Sequence, residues 1–87
     1  MRAGMEFKYR QSVLDELARH GIVPLSNTPP ELVHEFVNDL YVYEIRRLRK
    51  QMRAGLIRKD GYANQVGELR KRYPVLSLPV EYWIETN

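Results

Sequence analysis

The amino-acid sequence predicts an all-α protein, a small three-helix bundle with a long, central second helix and an apolar C-terminal tail packed over it. Residues 28–55 carry both start and stop signals for a helix, and no Gly or Pro interrupts residues 31–54. Shorter stretches with apolar residues at helical spacing lie before and after it. The tail at residues 74–87, PVLSLPVEYWIETN, is too apolar for a solvated chain end.

The first helix is predicted over residues 5–20, after a loose N-terminus at residues 1–4. Its apolar positions, among them Leu17, recur at helical spacing. Gly21 follows as a residue that can end a helix in the left-handed backbone conformation. Ile22 is expected to make the apolar contact that accompanies this stop.

The second helix is predicted over residues 29–54. Thr28 and Glu31 have the spacing of a capping box, in which each side chain bonds the backbone N–H of the other residue. Pro29 falls at the first helical position, where its missing N–H is not needed. Gly55 follows the last periodic residue and is expected to end the helix. A helix of this length spans about 40 Å, which is long for so small a chain.

The apolar side chains of the second helix spread over an arc of roughly 200° when residues are placed about 100° apart. This arc is wider than the stripe of a helix that rests on one surface, so it predicts contact with two neighbours or with a partner chain. The opposite face is charged, with acidic residues early and basic residues late, as the helix dipole favours. The arc contains Leu32, Val33, Phe36, Val37, Leu40, Tyr41, Tyr43, Ile45, Leu48 and Met52.

Two charged residues, Glu44 and Arg47, interrupt the apolar arc. Their spacing of three lets them pair on the helix surface. In one interpretation the pair lies at the edge of the arc, with aliphatic stems covering apolar surface and charged ends in water. In the other, the pair faces a partner chain and selects the register of the contact.

The third helix is predicted over residues 62–73. The Asp60-Gly61 pair before it is typical of a turn, and Pro74 is expected to end it. Gly67 lies inside this stretch and lowers its helix propensity.

The tail at residues 74–87 allows two interpretations. It completes the core of its own bundle, with Trp83 as a large anchor, or it is a peptide that docks into another protein. Ser77 is placed to cap a short fourth helix over residues 78–85.

Length and composition predict a single domain over residues 1–87. The chain has no cysteine, which excludes disulfides and thiolate metal sites and is compatible with a reducing compartment. The N-terminal sequence has no apolar run of the kind found in signal peptides, and no apolar stretch approaches the length of a membrane span. We therefore expect a soluble, cytoplasmic protein that does not bind membranes.

No catalytic set emerges from the sequence. The stretch that begins at His34 has the first half of the zinc-protease motif HExxH, but Asn38 stands where the second histidine is required. Glu31 and His34 have the spacing used in helical di-iron sites, but one chain supplies only one such pair. We expect no enzyme activity, no metal, no cofactor and no small-molecule substrate.

The width of the apolar arc favours a non-catalytic function, as a small protein–protein interaction module or an accessory subunit. Surplus apolar surface on a small soluble domain usually contacts a partner. One form of this hypothesis is a homodimer through the wide apolar face of the second helix. The predicted partner-binding residues are Tyr41, Glu44, Ile45, Arg47, Leu48, Met52, Tyr82 and Trp83.

The alternative function is nucleic-acid binding. Residues 46–59 contain seven basic residues and no acidic one, and several of them share one helix face, where they could contact backbone phosphates. No aromatic side chain is expected on that face to stack a base, and the formal net charge of the chain is only +3. The residues of this hypothesis are Arg46, Arg49, Lys50, Arg53, Arg58 and Lys59.

Overall fold

The computed structural model, which describes residues 6–85, is 66% helical and contains no strand within those residues. The predicted all-α fold with a long second helix is therefore confirmed, while the predicted loose end at residues 1–4 lies outside the described residues. The elements, in chain order, are α1 (Gln11–Arg19), α2 (Pro30–Arg53), α3 (Lys59–Lys71) and two 3₁₀ turns (Pro74–Ser77 and Val80–Tyr82).

Both predicted glycine stops are present. Gly21 and Gly55 have φ angles of 76° and 78°, in the left-handed region that residues with a Cβ rarely adopt. After α1, the Gly21 N–H donates to Ala18 O at 3.0 Å. The Ile22 N–H donates to Leu17 O at 3.0 Å, which completes a Schellman motif, and Ile22 packs against the core as predicted. The same pair of bonds closes α2.

The start of α1 differs from the prediction. The helix begins at Gln11, well inside the predicted range of 5–20. The residues just before it are extended because they pair with the tail: the Arg10 N–H donates to Trp83 O at 2.9 Å, and Tyr9 forms an antiparallel bridge to the tail. A pairing between distant parts of the chain therefore overrides the local helical spacing.

The start of α2 also differs from the prediction. The helix begins at Pro30, with Pro29 as the residue before it, and no side chain caps it. The Thr28 hydroxyl instead accepts from the Leu25 N–H at 3.0 Å, and the Thr28 N–H donates back to Leu25 O. Thr28 thus closes the preceding turn, and the capping box is wrong. Glu31 lies in the first turn of α2, where its charge favours the helix dipole.

The start of α3 includes the pair that was predicted to form a separate turn. The helix begins at Lys59 rather than at residue 62, and it ends at Lys71 rather than at residue 73. The Asp60 carboxylate accepts from the Gly61 N–H at 2.9 Å. An acidic residue in the first turn of a helix interacts favourably with the exposed N–H groups there, so Asp60 helps to begin α3.

The tail forms two 3₁₀ turns rather than the predicted fourth helix. The Ser77 hydroxyl donates to Pro74 O at 2.7 Å inside the first turn, so it does not cap a helix. Leu78 is extended because it precedes Pro79, which disfavours a helical conformation at the residue before it.

The tail completes the core of its own chain, as one of the two interpretations predicted. Trp83 is fully buried, and its Nε1–H donates to Val75 O at 3.2 Å. The core therefore combines residues from the helices with residues from both ends of the chain. Its members are Tyr9, Val13, Leu17, Val33, Val37, Leu69, Tyr73, Val75 and Trp83.

The core lies at one end of the molecule. Between Val37 and Leu69 no residue is buried, although this range contains most of α2 and α3. The radius of gyration is 16.1 Å and the extents are 57 × 24 × 19 Å, whereas a compact chain of this length has a radius of about 12 Å. The far parts of α2 and α3, with the turn between them, therefore form a projecting helical arm, which we define as residues 49–68.

Trp83→Ala should lower the free energy of unfolding by about 3–5 kcal/mol, because it leaves a cavity in the core and releases the tail. Tyr82→Ala is the matched control: Tyr82 is 55% exposed, and its loss should cost less than about 1 kcal/mol. Urea denaturation followed by circular dichroism measures both changes. Equal losses of stability in the two variants would contradict the anchoring role of Trp83.

Candidate interaction surface

Most of the α2 residues that were predicted to bind a partner face the protein's own chain. Tyr41, Ile45 and Leu48 are half-buried and pack against the core. The Tyr41 ring makes an edge contact with the Tyr73 ring, with 5.4 Å between centroids. Met52 is half-buried in the arm. The wide apolar arc is thus partly covered within the chain, and these side chains are less available to a partner than their spacing predicts.

Glu44 and Arg47 do not pair with each other as predicted. The Tyr73 hydroxyl donates to the Glu44 carboxylate, which holds Glu44 at the junction of α2 with the end of α3. Arg47 is exposed and borders the groove between α2 and α3. The ion pairs within residues 6–85 are Arg58–Asp60 at 3.7 Å and Glu68–Lys71 at 3.6 Å, both at the surface.

The surroundings of Tyr73 join α1, α2 and the end of α3. The His20 ring stacks on the Tyr73 ring with 4.2 Å between centroids, and the His20 Nε2–H donates to Arg72 O at 2.7 Å. Burial, and then the hydrogen bond and the charge of Glu44, raise the pKa of Tyr73 to about 12. A phenol with this pKa is protonated at neutral pH, so Tyr73 serves as a structural hydrogen-bond donor rather than as a base.

The two tail residues predicted to bind a partner lie in different environments. Trp83 is fully buried in its own chain, so the prediction that it contacts a partner is wrong. Tyr82 is exposed, and its role in binding stays a prediction. His34, the histidine of the incomplete metal motifs, lies beside the Trp83 ring with 5.3 Å between centroids. Packing against the indole accounts for His34 without a metal.

A more exposed apolar surface lies on the outer side of α2. Leu32, Phe36 and Tyr43 are 59%, 54% and 66% exposed. Val23 and Leu25, in the loop between α1 and α2, are 79% and 68% exposed. The two loop residues, with Leu32 and Phe36, border a shallow apolar groove. We name these five side chains the outer apolar face.

Sequence reasoning placed Leu32, Phe36 and Tyr43 in the apolar arc but did not select them as contacts. These three residues are spaced four and seven residues apart, so they lie on one side of α2. This spacing indicates that the wide apolar arc combines two separate faces of the helix. A second signal is the loop itself, because Val23 and Leu25 are apolar where surface loops usually carry Gly, Asn, Asp or Ser.

The basic residues of the nucleic-acid hypothesis are accompanied by an aromatic side chain. Tyr43 lies with Arg46, Arg47 and Lys50 around a shallow depression on α2. The expectation that no aromatic side chain shares this face is therefore wrong. The residues of the hypothesis are all exposed: Arg46, Arg49, Lys50, Arg53, Arg58 and Lys59.

Comparisons of the chain with protein-family models, with curated proteins and with solved structures found no match. Among the helices of residues 6–85, none combines the length and the apolar character needed to cross a membrane. The same part of the chain holds no group of three or more His, Asp or Glu residues placed to bind a metal ion. Function is therefore inferred from the geometry and charge of the chain itself.

Tyr73→Phe should reduce the loss of stability at alkaline pH. Folding raises the pKa of Tyr73 from 10.0 to about 12. The protonated phenol therefore stabilises the fold below pH 10, and this stabilisation is lost as the pH rises toward 12. Urea denaturation across this pH range measures the effect, and Tyr43→Phe, at an exposed site, is the control. An unchanged alkaline profile in Tyr73→Phe would contradict the assignment.

Proposed function

We propose that this chain is a non-catalytic protein–protein interaction module, or an accessory subunit, that binds through the outer apolar face. The observation that carries the proposal is the exposure of five large side chains, each more than half accessible, on one side of the molecule. Grouped apolar side chains of this kind on a small domain usually mark a contact surface. The proposal includes a cytoplasmic location, with which a cysteine-free chain is compatible.

Burial of the outer apolar face would contribute a moderate free energy. Covering a Leu or Phe side chain completely contributes about 1.5–3 kcal/mol, so the exposed parts of five such side chains contribute on the order of 5 kcal/mol. Association also costs free energy, because two molecules lose freedom of movement. The outer apolar face alone therefore supports only weak binding. A stable complex would also need favourable free energy from the charged residues around this face.

The residues predicted from the sequence have different parts in this proposal. Arg47 is exposed and lies beside Tyr43, so it belongs to the edge of the proposed surface. Tyr41, Ile45 and Leu48 support the surface from behind, because they attach α2 to the rest of the chain. The partner is another protein or a second copy of this chain.

Replacing both Leu32 and Phe36 with Ser should abolish association and leave the fold intact, because both side chains are more than half exposed. Leu78→Ser is the matched control, since it removes an exposed apolar side chain from the tail. Size-exclusion chromatography with light scattering measures self-association, and affinity capture compares binding to other proteins. Circular dichroism verifies the fold. If the double variant behaves like the wild type in both assays, the outer apolar face is not the contact surface.

A second candidate function is nucleic-acid binding through the basic half of α2. The observation that favours it is the exposed Tyr43 ring beside Arg46, Arg47 and Lys50. Basic side chains would contact phosphates and the ring would stack on a base, a combination typical of single-strand binding.

Changing Arg49 and Arg53 together to Glu should weaken binding to a labelled single-stranded oligonucleotide. If each arginine neutralises one phosphate, the slope of log affinity against log salt should become less negative by about 1.4. Fluorescence anisotropy at several salt concentrations measures this slope, and the Leu32/Phe36 double Ser variant should match the wild type. A wild-type chain that does not bind the oligonucleotide at low salt would exclude this candidate.

A further inference from the structure

We infer, on the basis of the proposed function, that the partner of the outer apolar face is a second copy of this chain. The two α2 helices pack antiparallel about a two-fold axis near Tyr43. Two features of α2 lead to this arrangement: the distribution of charge along the helix, and the positions of its exposed residues on one face.

Charge is segregated along α2. Residues 30–41 carry three carboxylates and no Lys or Arg, whereas residues 42–53 carry five basic residues and one carboxylate, Glu44. The acidic residues of the first half are Glu31, Glu35 and Asp39, and the basic residues of the second half are Arg46, Arg47, Arg49, Lys50 and Arg53. Parallel copies would place like charges side by side. Antiparallel copies place the acidic half of each helix beside the basic half of the other, which favours that orientation.

One face of α2 carries both the apolar residues and the charges that would pair. This face lies opposite Tyr41 and Ile45, which are half-buried against the rest of the chain. At about 100° per residue, its members fall within an arc of roughly 80°. All of them are exposed: Leu32, Phe36, Asp39, Tyr43, Arg47 and Lys50.

A two-fold axis at Tyr43 sets the register of the two helices. It places Asp39 of one copy opposite Arg47 of the other, and symmetry forms this contact twice. Phe36 comes to lie opposite Lys50, whose aliphatic stem can cover the ring while the ammonium group stays in water. The two Tyr43 rings meet at the axis, where an aromatic pair contributes about 0.5–1.5 kcal/mol beyond the area that it buries.

The same arrangement covers the groove at the base of α2. Leu56, in the turn after α2, is 74% exposed. The last residue of α2, Arg53, lies ten residues after Tyr43, and Val33, which lines the groove, lies ten residues before it. The end of each α2, with the turn that carries Leu56, would therefore lie about 15 Å from the axis, at the level of the groove of the other copy. The arm, which contains no buried residue, would gain an apolar neighbour.

A charge swap tests the pairing. Asp39→Arg alone and Arg47→Asp alone should each weaken self-association by about tenfold or more, because two attractive contacts in each dimer become repulsive. The double variant, Asp39→Arg with Arg47→Asp, should recover most of the wild-type dissociation constant, because the exchanged charges attract again. Sedimentation equilibrium measures the three dissociation constants against the wild type.

The single variants are expected to fold like the wild type. Asp39→Arg replaces a like-charge pair with Glu35, four residues earlier, by an opposite-charge pair. Arg47→Asp places a carboxylate three residues before Lys50, which favours the helix, and three residues after Glu44, which disfavours it by a similar amount, so the two effects offset each other. A loss of association in these variants therefore reports on the interface, and circular dichroism verifies the helix content.

Crosslinking tests the orientation, because the chain has no native cysteine. Tyr43→Cys should be joined to its copy by a short bismaleimide, since both residues lie at the axis. Phe36→Cys should not be joined to itself, because the two positions are separated by about 21 Å along the helices. A mixture of Phe36→Cys and Lys50→Cys chains should crosslink, since these positions face each other.

The outcomes separate this inference from the proposed function. A chain that stays monomeric but binds another protein through Leu32 and Phe36 supports the proposed function. It overturns the inference that the partner is a second copy of this chain. A dimer that depends on Leu32 and Phe36, but in which Phe36→Cys crosslinks to its own copy, overturns the antiparallel register. A dimer whose wild-type dissociation constant is not recovered by the charge swap also overturns this register. Bound nucleic acid that high salt removes, with no dimer in its absence, overturns both.

Discussion

The burial of Trp83 holds the two ends of the chain together, and the rest of the fold depends on it. Its indole N–H donates to Val75 O, and its carbonyl accepts from the Arg10 N–H. Glu16 of α1 strengthens the same region, because its carboxylate accepts from the Val75 N–H at 2.6 Å. The segment before α1 is therefore extended, with Tyr9 in the core. The three helices pack around a centre that the chain ends complete.

A core completed by the chain ends leaves the middle of the chain without one. Val33 and Val37 of α2 are buried, but the rest of the helix toward the arm is half-buried or exposed. One side of α2 attaches to the chain through Tyr41 and its neighbours. The other side carries Phe36 and Tyr43, then basic residues. The candidate surface is thus the part of an amphipathic helix that the fold itself does not use, which explains why it combines apolar and charged residues.

Local signals predicted the glycine ends of α1 and α2 but not the starts of the three helices. Gly21 and Gly55 end their helices because the left-handed backbone is a property of single residues. The start of α1 at Gln11 could not be predicted, because it depends on pairing with a tail that is distant in sequence. The candidate surface was predicted only as part of a wide arc. Which side of that arc is exposed depends on where the rest of the chain packs, as Phe36 and Ile45 illustrate.

The arm separates two properties that are coupled in most small domains. Stability is determined at the end of the molecule opposite the arm, its base, where the nine core residues within residues 6–85 lie. Reach is determined by how far α2 continues past Leu48, its last residue packed against the core, and by how far α3 extends before Leu69. Adding or removing one helical turn in each helix beyond these positions would change the reach by about 5.4 Å and leave the core contacts in place. Chains built on this plan can therefore differ in length between these two positions while they keep the same base.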